Sequence, residues 1–188
     1  MNARSDLGSL LAGSVLDVAP RILGCVVSTN RGGHHVAVRL AEVEAYDGDN
    51  DPASHAFRGQ TERTAPMFDV PGTVYVYRSY GIHWCMNIVV KPQGEAGAVL
   101  LRGGDVVAGH RAVERRRGRT TDLANGPGKL CQALAVTGDD SGTRLGSGIT
   151  LEIGDPIAPS RIASSPRIGI SRATDRLWRF TSDVTDRQ

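Results

Sequence analysis

No run in this 188-residue chain approaches the roughly 18 uninterrupted apolar residues that a membrane-spanning helix needs. A secretory leader is not expected either, because Asp6, Asp17 and Pro20 break up the apolar residues of the N-terminus. The protein is therefore expected to stay in the cytoplasm. Cysteine is scarce: Cys25, Cys85 and Cys131 lie far apart with no C-x-x-C pair. That excludes a disulfide framework and a zinc site of the usual spacing, and fits thiols packed as small apolar groups. Lysine is scarcer still, present only at Lys91 and Lys129. Few amines are then available for chemistry through a Schiff base. Strong net charge is also missing: the balance is +2 with an isoelectric point near 8.6, below the usual footprint of a nucleic-acid binder. Composition alone does not point to DNA.

What is present suits one globular domain over 1–188, with 1–10 and 182–188 as tails. Apolar residues make up 40% and charged residues 22%, while 23 glycines announce many turns. The stretch to about Leu23 reads as one helix with a capping signal at Ser5 and Asp6. Gly24–Thr29 reads as a short strand, Asn30–Gly33 as a turn and His34–Tyr46 as a longer strand. Residues 48–71 are polar and rich in Asp, Pro and Gly, which suggests a structured loop. Thr73–Val90 reads as a hairpin turning near Ser79–Ile82, and Ala98–Arg102 as a buried strand. Asp105–Arg117 reads as a helix. A second helix opens at Asn125-Gly-Pro-Gly-Lys129, with Asn125 as cap and Pro127 as an early helical position. Short strands such as Thr150–Ile153 follow. Strands and helices do not alternate regularly, so the fold is expected to be α+β with a mainly antiparallel sheet.

Two motifs look more specific than they are. Asp47-Gly-Asp-Asn-Asp51 begins like a calcium-binding loop, but Pro52 stands where glycine is needed and Arg58 where a bidentate glutamate is needed. An acidic surface turn is the simpler reading. Gly126-Pro-Gly-Lys129 resembles part of a P-loop, yet the upstream glycine and the following Ser or Thr are missing. It remains a helix start whose free N–H groups, at Gly126 and Gly128, and whose Lys129 suit a phosphate. The arginines at 111, 115, 116, 117 and 119 suit a solvated helix face or a phosphate contact.

The chemistry-bearing residues sit in two segments. In a regular strand Val36, Val38, Leu40, Glu42, Glu44 and Tyr46 share one face, and the apolar residues mark that face as the core side. Two carboxylates and a phenol would then stand where burial is costly. Glu44 and Tyr46, roughly 7 Å apart, could line one pocket as base and stacking wall. Alternatively the strand leaves the core there, or Glu44 pairs with an arginine. In the second segment, Tyr75 and Tyr77 share a strand face, while Tyr80-Gly81 falls at the hairpin tip. A ring exposed on a turn suits a wedge between base pairs; local packing against Ile82 or Trp84 is the alternative.

Taken together, Glu42-Val-Glu-Ala-Tyr46, His55, Met67-Phe, Pro71-Gly-Thr-Val-Tyr-Val-Tyr77, Tyr80-Gly, Cys85-Met-Asn87, Val99-Leu-Leu-Arg102 and Gly126-Pro-Gly-Lys-Leu-Cys-Gln-Ala-Leu134 resemble the alkyladenine (3-methyladenine) DNA glycosylase family. The likeness runs in register from about residue 15 to 180. It implies a curved, mainly antiparallel sheet with flanking helices and a protruding β-hairpin. It implies a monofunctional glycosylase that excises damaged purines from double-stranded DNA as a monomer, without cofactor or metal. By the same resemblance Glu44 is the general base, and Arg102 holds the attacking water with a backbone carbonyl near Ile168. Tyr46, His55 and Tyr77 sandwich or edge the flipped base, Asn87 screens out guanine, and Tyr80 is the intercalating wedge. Lys129, with the Gly126 and Gly128 amides, meets the DNA backbone. The chain departs from the family at Ala56-Phe57 after His55, and at His83-Trp84 after the tip. A non-catalytic nucleic-acid-binding module on the same fold is the rival reading.

Overall fold

The computed structural model describes residues 3–182. Two helices open the chain, α1 (Ala3–Leu11) and α2 (Val15–Ile22), where one was expected. The break falls at Gly13, whose φ of +147° no helix accommodates. Ser14 then caps α2, its hydroxyl oxygen accepting the Asp17 N–H at 3.2 Å. Of the stretches expected as tails, residues 3–10 belong to α1, where Leu10 is buried, and Ser182 ends the last strand. Residues 1–2 and 183–188 lie outside the described residues. No described helix is long and apolar enough to cross a membrane.

Strands β1 (Val26–Arg31) and β2 (His34–Tyr46) form the first hairpin. The irregular 47–73 segment leads to β3 (Val74–Ser79) and β4 (His83–Val89), then β5 (Ala98–Ala108). Helices α3 (His110–Arg117) and α4 (Pro127–Leu134) follow. β6 (Ile149–Glu152), β7 (Ile162–Ser165) and β8 (Arg179–Ser182) complete the curled sheet. Every strand pairing is antiparallel, in the order β3–β4–β5–β2–β1–β6. β2 is its spine. β5 runs along one edge of it, while β1 and then β8 share the other, with β8 also pairing β7. The α+β architecture and the antiparallel sheet agree with expectation.

β5 runs six residues beyond the expected end at Arg102, so Asp105–Ala108 is strand and only 110–117 is helix. Gly103 and Gly104 look like a strand terminus in sequence. In fact they allow close approach: a Cβ at Gly104 would lie 1.9 Å from the Arg39 carbonyl oxygen, and one at Gly103 2.7 Å from that of Ala124. Here also lies the feature that builds the site. Leu40 pairs with Gly104 and Glu42 with Gly103, leaving Ala41 unpaired. Glu42 and Val43 then face Gly103 and Leu101, leaving Arg102 unpaired. These offset bulges change the phase of β2. Val36, Val38 and Leu40 enter the core, but beyond the bulge Val43 and Ala45 take that role. Glu42, Glu44 and Tyr46 are therefore on the face opposite the core, contrary to the uninterrupted alternation.

Helices α2 and α4 cover the core face, α2 against β2 and β5 and α4 chiefly against β4 and β5, in a core that includes Val43, Ala45, Val74, Val76, Met86, Ile88, Val99 and Leu101. The other face carries a smaller apolar group of Ala56, Met67, Tyr75, Ala96 and Ala98. One face thus supplies stability and the other is free for chemistry. Leu101, fully buried against the helices, is expected to cost about 2–5 kcal/mol on Leu101→Ala in urea unfolding. A loss below about 1 kcal/mol would contradict this division of the sheet.

Candidate active site

A single cross-strand row carries much of the site. Tyr75 pairs with Asn87, Asn87 with Leu100, Leu100 with Glu44, and Glu44 with Arg179. Beside it Tyr77 pairs with Cys85, and Arg102 reaches the site from the β5 bulge. The 47–73 segment and residues 168–172 fold over this face and close a cavity of about 750 Å³. Tyr46, His55, Tyr75, Tyr77, Tyr80, Asn87 and Arg102 all line it. Tyr46, His55, Tyr77, Asn87 and Arg102, named from sequence, thus share the cavity, with Tyr80 at its rim, while Glu44 does not line it and lies behind Tyr46 and Arg102, which hold it.

Glu44 is 0% exposed, and its carboxylate is held by one ion pair and two hydrogen bonds. Arg102 Nη1 lies 3.2 Å from Oε1, the Ile168 N–H donates to Oε1 at 2.8 Å, and the Tyr46 hydroxyl donates to Oε2 at 2.8 Å. Of the alternatives to a pocket-lining base, the strand does not leave the core, because Val43 and Ala45 stay in it, and Glu44 is not wet, but Glu44 does pair with an arginine. At Ile168 the contact to Glu44 is the N–H. Burial pushes the Tyr46 phenol far above its ordinary value, and the Glu44 charge pushes it further, so Tyr46 keeps its proton and donates it. Arg102 Nε also binds Glu42 Oε1 at 2.6 Å, as does Arg179 Nε. Burial raises the Glu42 carboxyl, but its two guanidinium partners outweigh burial and leave it below the usual range. Two carboxylates thus share the Arg102 guanidinium.

On the opposite wall His55 and Tyr77 meet edge to face, with ring centroids 4.4 Å apart, and His55 Nδ1 lies 3.0 Å from the Tyr75 hydroxyl. Arg63 stands 5.8 Å over the Tyr77 ring. Burial lowers the His55 pKa and the Arg63 charge lowers it further. Asn87 is buried and donates through Nδ2 to the Tyr75 carbonyl at 3.1 Å.

Tyr80 is 86% exposed, so it does not pack against Ile82 or Trp84. The tip is Tyr80-Gly81-Ile82, closed by the Ile82 N–H on the Ser79 carbonyl at 3.0 Å. Tyr80 and Gly81 have φ of +49° and +69°. A bulky residue at positive φ is an uncommon strain of about 1–3 kcal/mol, and such strain gathers at functional positions. The arm below the tip is braced by α4, whose Gly128 leaves no room for a Cβ against His83. Gly126, not Asn125, is the N-cap of α4. Asn125 instead donates to Asp122 and accepts from Lys129 Nζ at 2.8 Å. None of the arginines 111–119 lines the cavity; Arg116 and Arg117 tie α3 to α4 through Ala133 and Gln132.

Several site residues escaped the sequence. Asp51, read as part of a surface turn, is fully buried with Arg167, Nη1 to Oδ2 at 2.5 Å and Nη2 to Oδ1 at 2.7 Å. Asp47 of the same turn pairs with Lys91. The Arg167 guanidinium lies between two rings, 4.6 Å from the Tyr46 centroid and 5.0 Å from that of Trp178. No local pattern links residues 116 positions apart. Among the described residues no group of three or more His, Cys, Asp or Glu is placed to hold a metal.

A model of the methylpurine-DNA glycosylase family matches residues 9–185. Relatives provisionally named as 3-methyladenine DNA glycosylases are similar over most of their length. One from Frankia casuarinae is 50% identical over 180 residues, covering 88% of this chain and 83% of its own. One from Nocardia farcinica is 51% identical over 173 residues, covering 86% and 80%. A third, from Cutibacterium acnes, is 46% identical over 179 residues, covering 90% and 92%.

An NMR titration of His55 is expected to give a pKa below its ordinary 6.5, and Arg63→Gln to move it back up. Because the unfolded chain then takes this proton first, His55 costs stability as pH falls below 6.5 toward its folded value, and nothing above 6.5. A midpoint at or above 6.5 in the folded protein would contradict the partial desolvation and the Arg63 repulsion assigned to this ring.

Proposed function

The chain belongs to the methylpurine-DNA glycosylase family, and from that premise we propose that it flips alkylated or deaminated purines out of duplex DNA and hydrolyses their N-glycosidic bonds at Glu44. The observation that carries this reading is the buried Glu44 carboxylate, braced by Arg102 and Tyr46 at the edge of an aromatic cavity. As a family member it is a hydrolase of N-glycosyl bonds in DNA. 3-Methyladenine, 7-methylguanine and hypoxanthine are the proposed substrates. It acts as a monomer on damaged double-stranded DNA in the cytoplasm, at the nucleoid if the source is bacterial.

A carboxylate has about four acceptor sites. On Glu44, Oε1 accepts from the Ile168 N–H and faces the Arg102 guanidinium, while Oε2 accepts only from Tyr46, which leaves an acceptor site on Oε2. In the proposed step a water donates to that site while its oxygen attacks C1′ of the sugar. The C1′–N bond breaks with its electron pair going to the purine, and the water proton passes to Glu44. The sugar is oxocarbenium-like as the bond breaks, and the Glu44 charge stabilises it. A purine alkylated at N3 or N7 is a cation and departs neutral. A neutral purine needs a proton as it leaves.

The extruded base stacks between Tyr46 and the Tyr77–His55 pair, with neutral His55 at its edge. Asn87 crowds the exocyclic amine of guanine. Tyr80 fills the space that the base vacates, its exposure and its strained backbone suiting a rigid wedge. Lys129 and the Gly126 and Gly128 amides meet phosphates. With only Lys91 and Lys129 as lysine amines, and both engaged in ion pairs, no strand cleavage through a Schiff base is proposed. A pure binding module gives no account of Glu44 and Arg102 buried together.

Duplex oligonucleotides carrying one 3-methyladenine, 7-methylguanine or hypoxanthine test this directly. Free base is expected to be released, with strand breaks only after alkali; no release from any duplex rejects the reading, and breaks without alkali reject the monofunctional assignment. Tyr80→Ser is expected to weaken binding to abasic-site DNA by about tenfold, near the worth of one inserted ring. Unchanged binding would remove Tyr80 as the wedge.

A further inference from the structure

The Tyr46 ring separates the cavity from a buried charge pair that the proposed chemistry does not use. Arg167 and Asp51 have no exposed side-chain surface. Arg167 Nη1 also donates to the Ala45 carbonyl at 2.8 Å, between Glu44 and Tyr46. The adjoining Ile168 N–H holds Glu44. One two-residue segment thus fixes the Tyr46 ring from behind, the backbone beside it and the carboxylate before it. Resting on the glycosylase reading above, we propose that Arg167 is a positioning residue for Tyr46 and Glu44, and that Asp51 sets the balance between cationic and neutral purines by neutralising Arg167.

The physics is a charge seen through a ring. Arg167 Cζ is 4.6 Å behind the Tyr46 centroid. A purine stacked on the other side would lie about 3.5–4 Å further, placing the two groups roughly 8 Å apart. Two like unit charges at that distance in a half-buried site repel enough to change a rate by roughly tenfold. A bare guanidinium would therefore make Tyr46 a poor wall for an alkylated, cationic base. The bidentate Asp51 carboxylate cancels it and leaves a rigid, neutral backing. Arg176, 3.8 Å from Asp51 and half-exposed over Trp178, adds a partly screened positive charge at the rear. Asp51 is thus the anion on which a cation-tolerant pocket depends.

The test is single-turnover excision of 7-methylguanine, a cation, against hypoxanthine, which is neutral, from otherwise identical duplexes. Asp51→Asn leaves Arg167 unneutralised, which repels the bound cation that sheds its charge in the step and opposes the proton hypoxanthine must gain, so at saturating enzyme the 7-methylguanine:hypoxanthine rate ratio is expected to rise roughly tenfold. Arg167→Met leaves the carboxylate, which holds the cation and favours protonation of hypoxanthine, and is expected to lower the ratio. Arg167→Lys keeps the charge but gives up the planar stack, and is expected to slow both lesions at an unchanged ratio. Circular dichroism identifies the folded variants, and the opposite signs let either neutralising variant stand if the other fails to fold. Ratios within about twofold of wild type in a folded Asp51→Asn or Arg167→Met, or a ratio altered by Arg167→Lys, overturn the proposal. A wild-type protein idle on both lesions instead rejects the glycosylase reading itself.

Discussion

The site depends on one buried carboxylate. A charge removed from water is costly unless nearly every acceptor position is met, and losing a partner from such a group costs about 3–5 kcal/mol. Glu44 is met by a guanidinium, a phenol and a backbone N–H, from β5, from β2 itself and from residue 168. Those three demands fix much of what surrounds it. Arg102 must leave the β5 ladder at a bulge, Tyr46 must stay protonated, and the 167–168 segment must be clamped. Arg102 in turn shares Glu42 with Arg179, so the network reaches the last strand.

The bulged register makes this possible. Without it, β2 would send both glutamates into the apolar layer beneath α2 and α4. With it, one strand serves the core through Val36, Val38 and Leu40, then through Val43 and Ala45, and gives its other face to the cavity. The two glycines of β5 admit the close backbone approach there. Rigidity continues outward along β3 and β4, braced where Gly128 meets His83 and Gly138 meets the Trp84 ring. The exposed Tyr80 therefore stands on a stiff arm, which suits the proposed insertion into DNA because little new ordering is needed.

Much of this was legible in the sequence. His34–Tyr46 reads as a strand because its apolar residues alternate, and the hairpin tip because glycine follows Tyr80. The candidate site residues from Glu44 to Arg102 come from the family resemblance that the order and spacing of short motifs carry. Local patterns fail where tertiary contact decides. Gly103-Gly104 looks like a strand end, but glycine is there because another backbone lies against it. The acidic turn looks solvated because Arg167, which buries Asp51, is 116 residues away. Asn125 has the chemistry of a cap but is held by Asp122 and Lys129, leaving the cap to Gly126. The phase of β2 could not be read without the bulge.

The central claim is that the Glu44 carboxylate primes the water. Single-turnover excision by Glu44→Gln, measured beside its affinity for the same lesion duplex, tests it most directly. The amide keeps the size of the side chain and gives up the base. Binding within a few-fold of wild type with excision slower by about 10²–10⁴ is the result the account predicts. Excision at the wild-type rate would contradict it.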